Sequence, residues 1–379
     1  FDYFYNIENT EVSCVILPWG NTSWFVDKSL ERGLIGKIVD TSIDMNDITY
    51  DEFDLGVHIQ LPNEWNTLFA RKNIGVSAYV ETNICHESWI NRSLDMDLVI
   101  VPSNFTKKVI LDSSKTKDQK HALDNKVKVI PEYYHEDFDL NEKEKSLELN
   151  VLFNKINTDF NYLTVGHLTS ENEFCDRKNL IQTLRYFCLN FKNNKDVGLI
   201  LKTSVGRSTS IDRLKTREVF KRIIKEVKGE SVYPKIYLLH GDMSPKDLYS
   251  LYTHDKVKCY LSLTKGEGYG LPLLESARCG LPIIATNWSG HLDFLDKDFL
   301  AVDYSLENIP SEKVDNNIFI NNSKWAVVKK SSTDKQLNFA YKNINKVKKI
   351  AKKLSNNILN KYNKTTIQKK YDKVFKEYL

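Results

Sequence analysis

The sequence has 379 residues, 41% of them hydrophobic, with 19 Tyr and 18 Phe. That is apolar surface enough for two domain cores, and it excludes a disordered chain. The formal net charge is only +4, from 54 basic and 50 acidic side chains, which speaks against a dedicated nucleic-acid binder. The six cysteines (Cys14, Cys85, Cys175, Cys188, Cys259, Cys279) are scattered without a C-x-x-C pair, so they read as reduced thiols, with neither a disulfide framework nor a metal site.

In chain order, the first half alternates short apolar runs with helical patterns, as a parallel α/β sheet does. Strands are expected over residues 12–17, 37–40, 55–60, 75–80, 98–101 and 127–130. The turn Pro18-Trp19-Gly20-Asn21-Thr22 leads into a helix near Ser23, and Ser103 can cap a helix over 105–111. Residues 133–160 are strongly polar and mark the region between domains. A second α/β unit follows, with strands over 162–165, 197–201, 236–239, 259–263 and 283–286. These runs divide the chain into a first domain (1–150), a second (151–360) and a terminal helix (361–379). In that helix Ile367, Tyr371, Val374, Phe375 and Tyr378 recur at helical spacing. No run approaches the length of a membrane span and no signal-peptide pattern opens the chain. The expected location is therefore cytoplasmic, with a basic amphipathic tail that could touch an anionic membrane surface.

The densest chemistry lies in Lys265-Gly-Glu-Gly-Tyr-Gly-Leu-Pro-Leu-Leu-Glu-Ser-Ala-Arg-Cys-Gly280. A strand enters a loop carrying Gly266, Gly268 and Gly270. The loop opens a helix at Leu271-Pro272, where proline suits the first turn, and Gly280 closes it. Such a loop offers backbone N–H groups to phosphate. Two carboxylates, Glu267 and Glu275, flank it with seven residues between them, and carboxylates accept hydrogen bonds from hydroxyls. Phosphate and hydroxyls together describe a nucleoside diphosphate sugar.

This Glu-x7-Glu run, with the Gly-Leu-Pro-x-x-Ala-Thr that follows, resembles the donor signature of the large family 4 type of retaining glycosyltransferases with the GT-B fold. The likeness is dense over residues 239–295 and loose over the first half. It implies two Rossmann-like domains facing across a cleft, with a C-terminal helix crossing back to the first. It implies that Glu267 touches the transferred sugar and Glu275 the ribose, with the loop residues Gly266, Gly268, Tyr269, Gly270 and Leu271 around the donor. By the same resemblance Arg177 and Lys202 clamp the diphosphate; whether Arg177 or Lys178 takes that role is open, because His167 stands where many relatives carry an arginine after Gly166. Gly241, Met243 and Leu248 would border the nucleobase, and Gly20 of the first domain would approach the diphosphate. Ser289-Gly290-His291 is expected to line the same cleft.

On the acceptor side His86 is a candidate beside the reacting carbon, the alternative being a structural loop histidine. Asp95-Met-Asp97 and Asp137-Phe-Asp139 spell the D-x-D of metal-dependent transferases, but neither follows a strand of the donor half. No cofactor and no metal are expected. The implied reaction moves a hexose from a nucleoside diphosphate sugar to a hydroxyl acceptor (a glycan, or a lipid- or protein-linked sugar). The rivals are a nucleotide-sugar epimerase, a phosphorylase (for which no lysine signature stands out) and a non-catalytic donor-like module. Base, sugar, acceptor and oligomeric state are not legible.

Overall fold

The computed structural model describes residues 1–17, 34–50, 52–139, 146–206 and 208–378. Gly20 and the expected helix near Ser23 lie outside them. Two short helices, α1 (Asp2–Tyr5) and α2 (Leu34–Asp40), come first. Two expected strands are absent here. Residues 12–17 contribute only an isolated bridge between Cys14 and Ser42, and residues 37–40 are the end of α2. The β-branched pair Ile38-Val39 suggested a strand, but Leu34/Ile38 and Ile35/Val39 are i,i+4 pairs, and that helical spacing prevails.

The first sheet is parallel in the order β1 (Phe53–Ile59), β2 (Ala70–Val76), β3 (Leu98–Val101), β4 (Val127–Val129). Its connections carry α3 (Glu87–Asp95), α4 (Asn104–Ser113) and α5 (Lys117–Lys126). Ser103 caps α4 as expected, accepting from Thr106 N–H. Trp89, Ile90, Val109, Ile110 and Leu123 from these helices bury one face of the sheet.

The chain then enters α6 (Leu147–Phe153). Tyr134 and Phe138 already pack with Leu149, Phe153 and Leu163 of the second core. The second sheet is again parallel, in the order β10-β9-β8-β5-β6-β7. Its strands are β5 (Phe160–Val165), β6 (Val197–Lys202), β7 (Lys235–Leu239), β8 (Val257–Ser262), β9 (Ile283–Thr286) and β10 (Leu300–Val302). Between them run α7 (Leu180–Asn190), α8 (Ser210–Lys228), α9 (Pro245–Tyr252), α10 (Leu271–Arg278) and α11 (Leu292–Leu295). α9 starts on a capping box, Ser244 with Asp247, and Pro245 at its first turn. Strand order reverses between β5 and β8, so the carboxyl ends of these two strands form the switch point where open α/β sheets take ligands.

An antiparallel hairpin, β11 (Tyr304–Asn308) and β12 (Lys324–Val328), follows. It was not expected. Its tip residues Ile318 and Phe319 pack on the core of the first domain, and Asn83 N–H donates to Lys324 O at 3.0 Å. Helices α12 (Lys330–Lys342) and α13 (Ile344–Lys361) close the second domain, and α14 (Lys364–Phe375) crosses back. The apolar stripe of α14, with Ile367 and Phe375 fully buried, covers Ile74, Leu98, Ile100 and Ile130 on the other face of the first sheet. That stripe is core, so it is not available for insertion into a membrane. All six cysteines are free thiols, and among the described residues no helix is long and apolar enough to cross a membrane.

Candidate active site

The loop after β8 places Glu267 at the switch point. Its carboxylate is buried, with Lys178 Nζ at 2.7 and 2.8 Å, Arg177 at 3.5 Å and Thr264 Oγ1 donating at 2.9 Å. Burial alone would raise its pKa, but Lys178 and Arg177 outweigh that and hold it at about 2. Glu267 is therefore an anion at any physiological pH.

Arg177 and Lys178 precede α7, where Asn179 in a left-handed conformation turns the chain into the helix. The two cations do different things. Arg177 donates to Gly266 O at 2.8 Å and pairs with Glu81 of the first domain at 3.1 Å. Burial works against its charge, yet Glu81 and Glu267 raise its pKa. It ties the loop to the opposite domain. Lys178 makes its ion pair with Glu267 alone among the described residues, and its aliphatic stem runs beside Gly166 at the end of β5. Lys178, Glu267, Gly270 and Thr164 line one recess between β5 and β8.

Lys202 ends β6, half-buried, and burial lowers its pKa against the opposing pull of Asp242. It has no ion pair within 4.0 Å among the described residues. Gly241 follows β7 with φ +103° and open space around it, while Met243 and Leu248 pack against the second core. Glu275 lies in α10, where Tyr252 OH donates to it at 3.5 Å. Burial is the main cause that pushes its pKa up to about 7, opposed by that hydrogen bond.

Two of the loop glycines meet the first domain. A Cβ on Gly266 would lie 2.2 Å from Glu81 O, and one on Gly268 2.8 Å from Ala78 O. Both are glycine because the first domain's backbone touches the loop there. Gly268 O accepts from Ser103 Oγ at 2.7 Å. Glu267 N–H is donated to Ser289 Oγ at 3.0 Å, and Gly290, whose Cβ would meet Gly268 O at 2.0 Å, donates its N–H to Glu267 O. Buried His291 donates from Nε2 to Thr286 O at 2.7 Å. Thus Ser289-Gly290-His291 and Thr264 form a polar floor under Glu267, a supporting role the sequence did not disclose.

Tyr269 is buried too: its hydroxyl donates to Glu132 O at 2.9 Å and its ring meets Phe294 edge-on. Its side chain is core, whereas Leu271 is exposed at the start of α10. His86 is the N-cap of α3, its Nδ1 accepting from Ser88 N–H at 3.1 Å. The aspartates of the D-x-D triplets have local partners. Asp97 accepts from Asn73 N–H and pairs with Lys72, while Asp139 pairs with Arg278.

Comparison with known proteins places this geometry. Residues 211–305 match the family described as glycosyl transferases group 1. Among solved structures, a glycosyltransferase from Rickettsia africae is similar at 14% identity and a TM-score of 0.59, covering 91% of this chain and 88% of that one. The Anabaena protein HepE, solved with UDP and glucose, is similar at 13% identity and a TM-score of 0.60, covering 92% and 83%. The trehalose-6-phosphate synthase OtsA is similar at 11% identity and a TM-score of 0.59, covering 92% and 75%. A sequence search of curated proteins finds no match. The fold is that of the GT-B glycosyltransferases, a glycosyl transferases group 1 match covers residues 211–305 of its second domain, and together these make the chain an enzyme of the glycosyltransferase class.

Proposed function

We propose that the protein transfers a hexose from a nucleoside diphosphate sugar to a hydroxyl acceptor, with retention of anomeric configuration and without a divalent metal. The observation that carries this reading is the Glu267 carboxylate, held between Lys178 and Arg177 at the β5/β8 switch point, with Glu275 in α10, the helix that the same loop opens. HepE was solved with UDP and glucose, and a similar protein from E. coli with UDP-2-fluoro glucose. These support a nucleotide-sugar donor.

In this reading Lys178 and Lys202 absorb the charge of the departing diphosphate, as charge-assisted contacts in a dry site can. Glu275 accepts from the ribose hydroxyls. Glu267 faces the sugar as its ring flattens and gains positive charge, favouring the transition state over the ground state. The leaving phosphate takes the acceptor proton, so no separate base is needed.

The test is a panel of nucleoside diphosphate sugars read by thermal shift, since a ligand of the native state raises its melting temperature, followed by turnover of the stabilising donor in EDTA. Stabilisation by one donor and turnover that survives EDTA are expected. A shift with no donor overturns the donor reading; turnover lost in EDTA and restored by Mn²⁺ overturns metal independence.

A further inference from the structure

Helix α13 holds six lysines and no acidic residue. Its buried positions, Val347, Ala351, Leu354 and Ile358, recur at i+4, i+7 and i+11, so the opposite side faces solvent. That side is Lys349, Lys352 and Lys353 with Asn345, Asn356 and Asn360, flanked by Lys346 and Lys348, all exposed. Lys353 pairs with Asp298 at 2.9 Å. Among the described residues the other four make no ion pair within 4.0 Å. The stripe continues past the helix end in the exposed Lys361, Lys369 and Lys370, and repulsion from Lys361 adds to burial in lowering the pKa of Lys370 on α14. Residues 344–379 carry a formal charge of +9 in a chain whose total is +4, leaving −5 on all the rest.

We infer that the outer face of α13, continued onto α14, is an electrostatic docking surface for an anionic lipid bilayer. The chemistry of the stripe selects this partner. Its cations are lysines only, compact point charges suited to a diffuse negative surface, with none of the arginine forks that bind phosphates bidentately. It has no exposed aromatic ring on which a base could stack. Most apolar side chains of both helices are spent on the cores, Leu359 near the end of α13 being 39% exposed, so the contact is made chiefly by charge and lies on the membrane without entering it. The hydroxyl acceptor need not be lipid-borne for this to hold, so the inference stands apart from the reading of the active site.

The experiment is co-sedimentation of the full chain with vesicles of phosphatidylcholine alone or with phosphatidylserine added, across a salt series. Binding to the anionic vesicles alone, weakening as salt rises, is expected. The triple variant Lys348→Gln/Lys349→Gln/Lys352→Gln should bind on the order of 10- to 100-fold more weakly, since each lysine near such a surface contributes separately. Because these positions are exposed, its melting temperature should be unchanged. A matched control on α8, Lys215→Gln/Lys221→Gln/Lys225→Gln, should bind as the parent does. Equal binding to neutral vesicles, no binding to anionic ones at low salt, or parental binding by the α13 variant would each overturn the proposal. So would tighter, α13-dependent binding of single-stranded RNA in the same salt series.

Discussion

Because Glu267 shares its carboxylate with Lys178 and draws Arg177 toward it, the three residues should fail in different ways. Glu267→Gln keeps the shape and the Thr264 contact but loses the charge that meets the developing positive sugar. Its kcat should fall on the order of 10²- to 10³-fold, while affinity for the free nucleoside diphosphate stays close to the parent value; steady-state kinetics and calorimetry check both. Loss of nucleotide affinity with kcat retained would reverse the assignment. Arg177→Ala removes the link to Glu81 and Gly266 O and leaves a carboxylate without its partner, so it should cost about 3 kcal/mol of stability, read by chemical denaturation. Lys178→Ala strips the buried Glu267 of its closest cation, so it should also cost about 3 kcal/mol, and unlike Arg177→Ala it should weaken donor binding besides. The sequence could not make this distinction. Both cations sit side by side at the start of α7, and only the approach of Glu81 from the first domain separates their roles. Ser289 was equally illegible as a prop for Glu267, since 22 residues and a whole strand separate them. The strand–loop–helix carrying Glu267 and Glu275 was legible, because glycines and prolines punctuate it.

Helix α10 carries a second titrating group whose behaviour belongs to the element. Glu275 is packed between α10 and α9, and its folded pKa of about 7 stands above the ordinary 4.5. The native state therefore holds a proton that the unfolded chain has released between these values. Stability must fall as pH rises through about 4.5 to 7 and level off above, by about 3 kcal/mol in all. Glu275→Gln should abolish this slope and raise the melting temperature at pH 8 relative to the parent, with little difference at pH 4.5. If Glu275 holds the ribose, the same variant should bind donor more weakly at pH 8, raising KM more than it lowers kcat. An unchanged pH–stability profile would show that the carboxyl is solvated. Elements of the second half were readable because parallel strands buried on both faces are short, continuous apolar runs. The first half misled at 37–40, where two β-branched residues sit inside a helix, and the β11–β12 hairpin escaped notice because its reason for existing is contact with the other domain.

At the scale of the molecule, the two domains share more than a cleft. The first sheet is covered on one side by α14, and the tip of the β11–β12 hairpin packs on the core of the other side. Phe375→Ala should therefore cost about 3–5 kcal/mol, and hydrogen exchange should locate the loss in β2 and β3, far from residue 375 in sequence, with the second sheet still protected. Equal deprotection of both sheets would mean the domains unfold as one unit. The same arrangement sets an order of events in the cell. Synthesis runs from the N-terminal side onward and domains fold as units as they emerge, yet the segments that complete the first domain are made only after the second domain. The half translated first is thus the half that finishes second, and it waits on the ribosome with part of its apolar sheet uncovered.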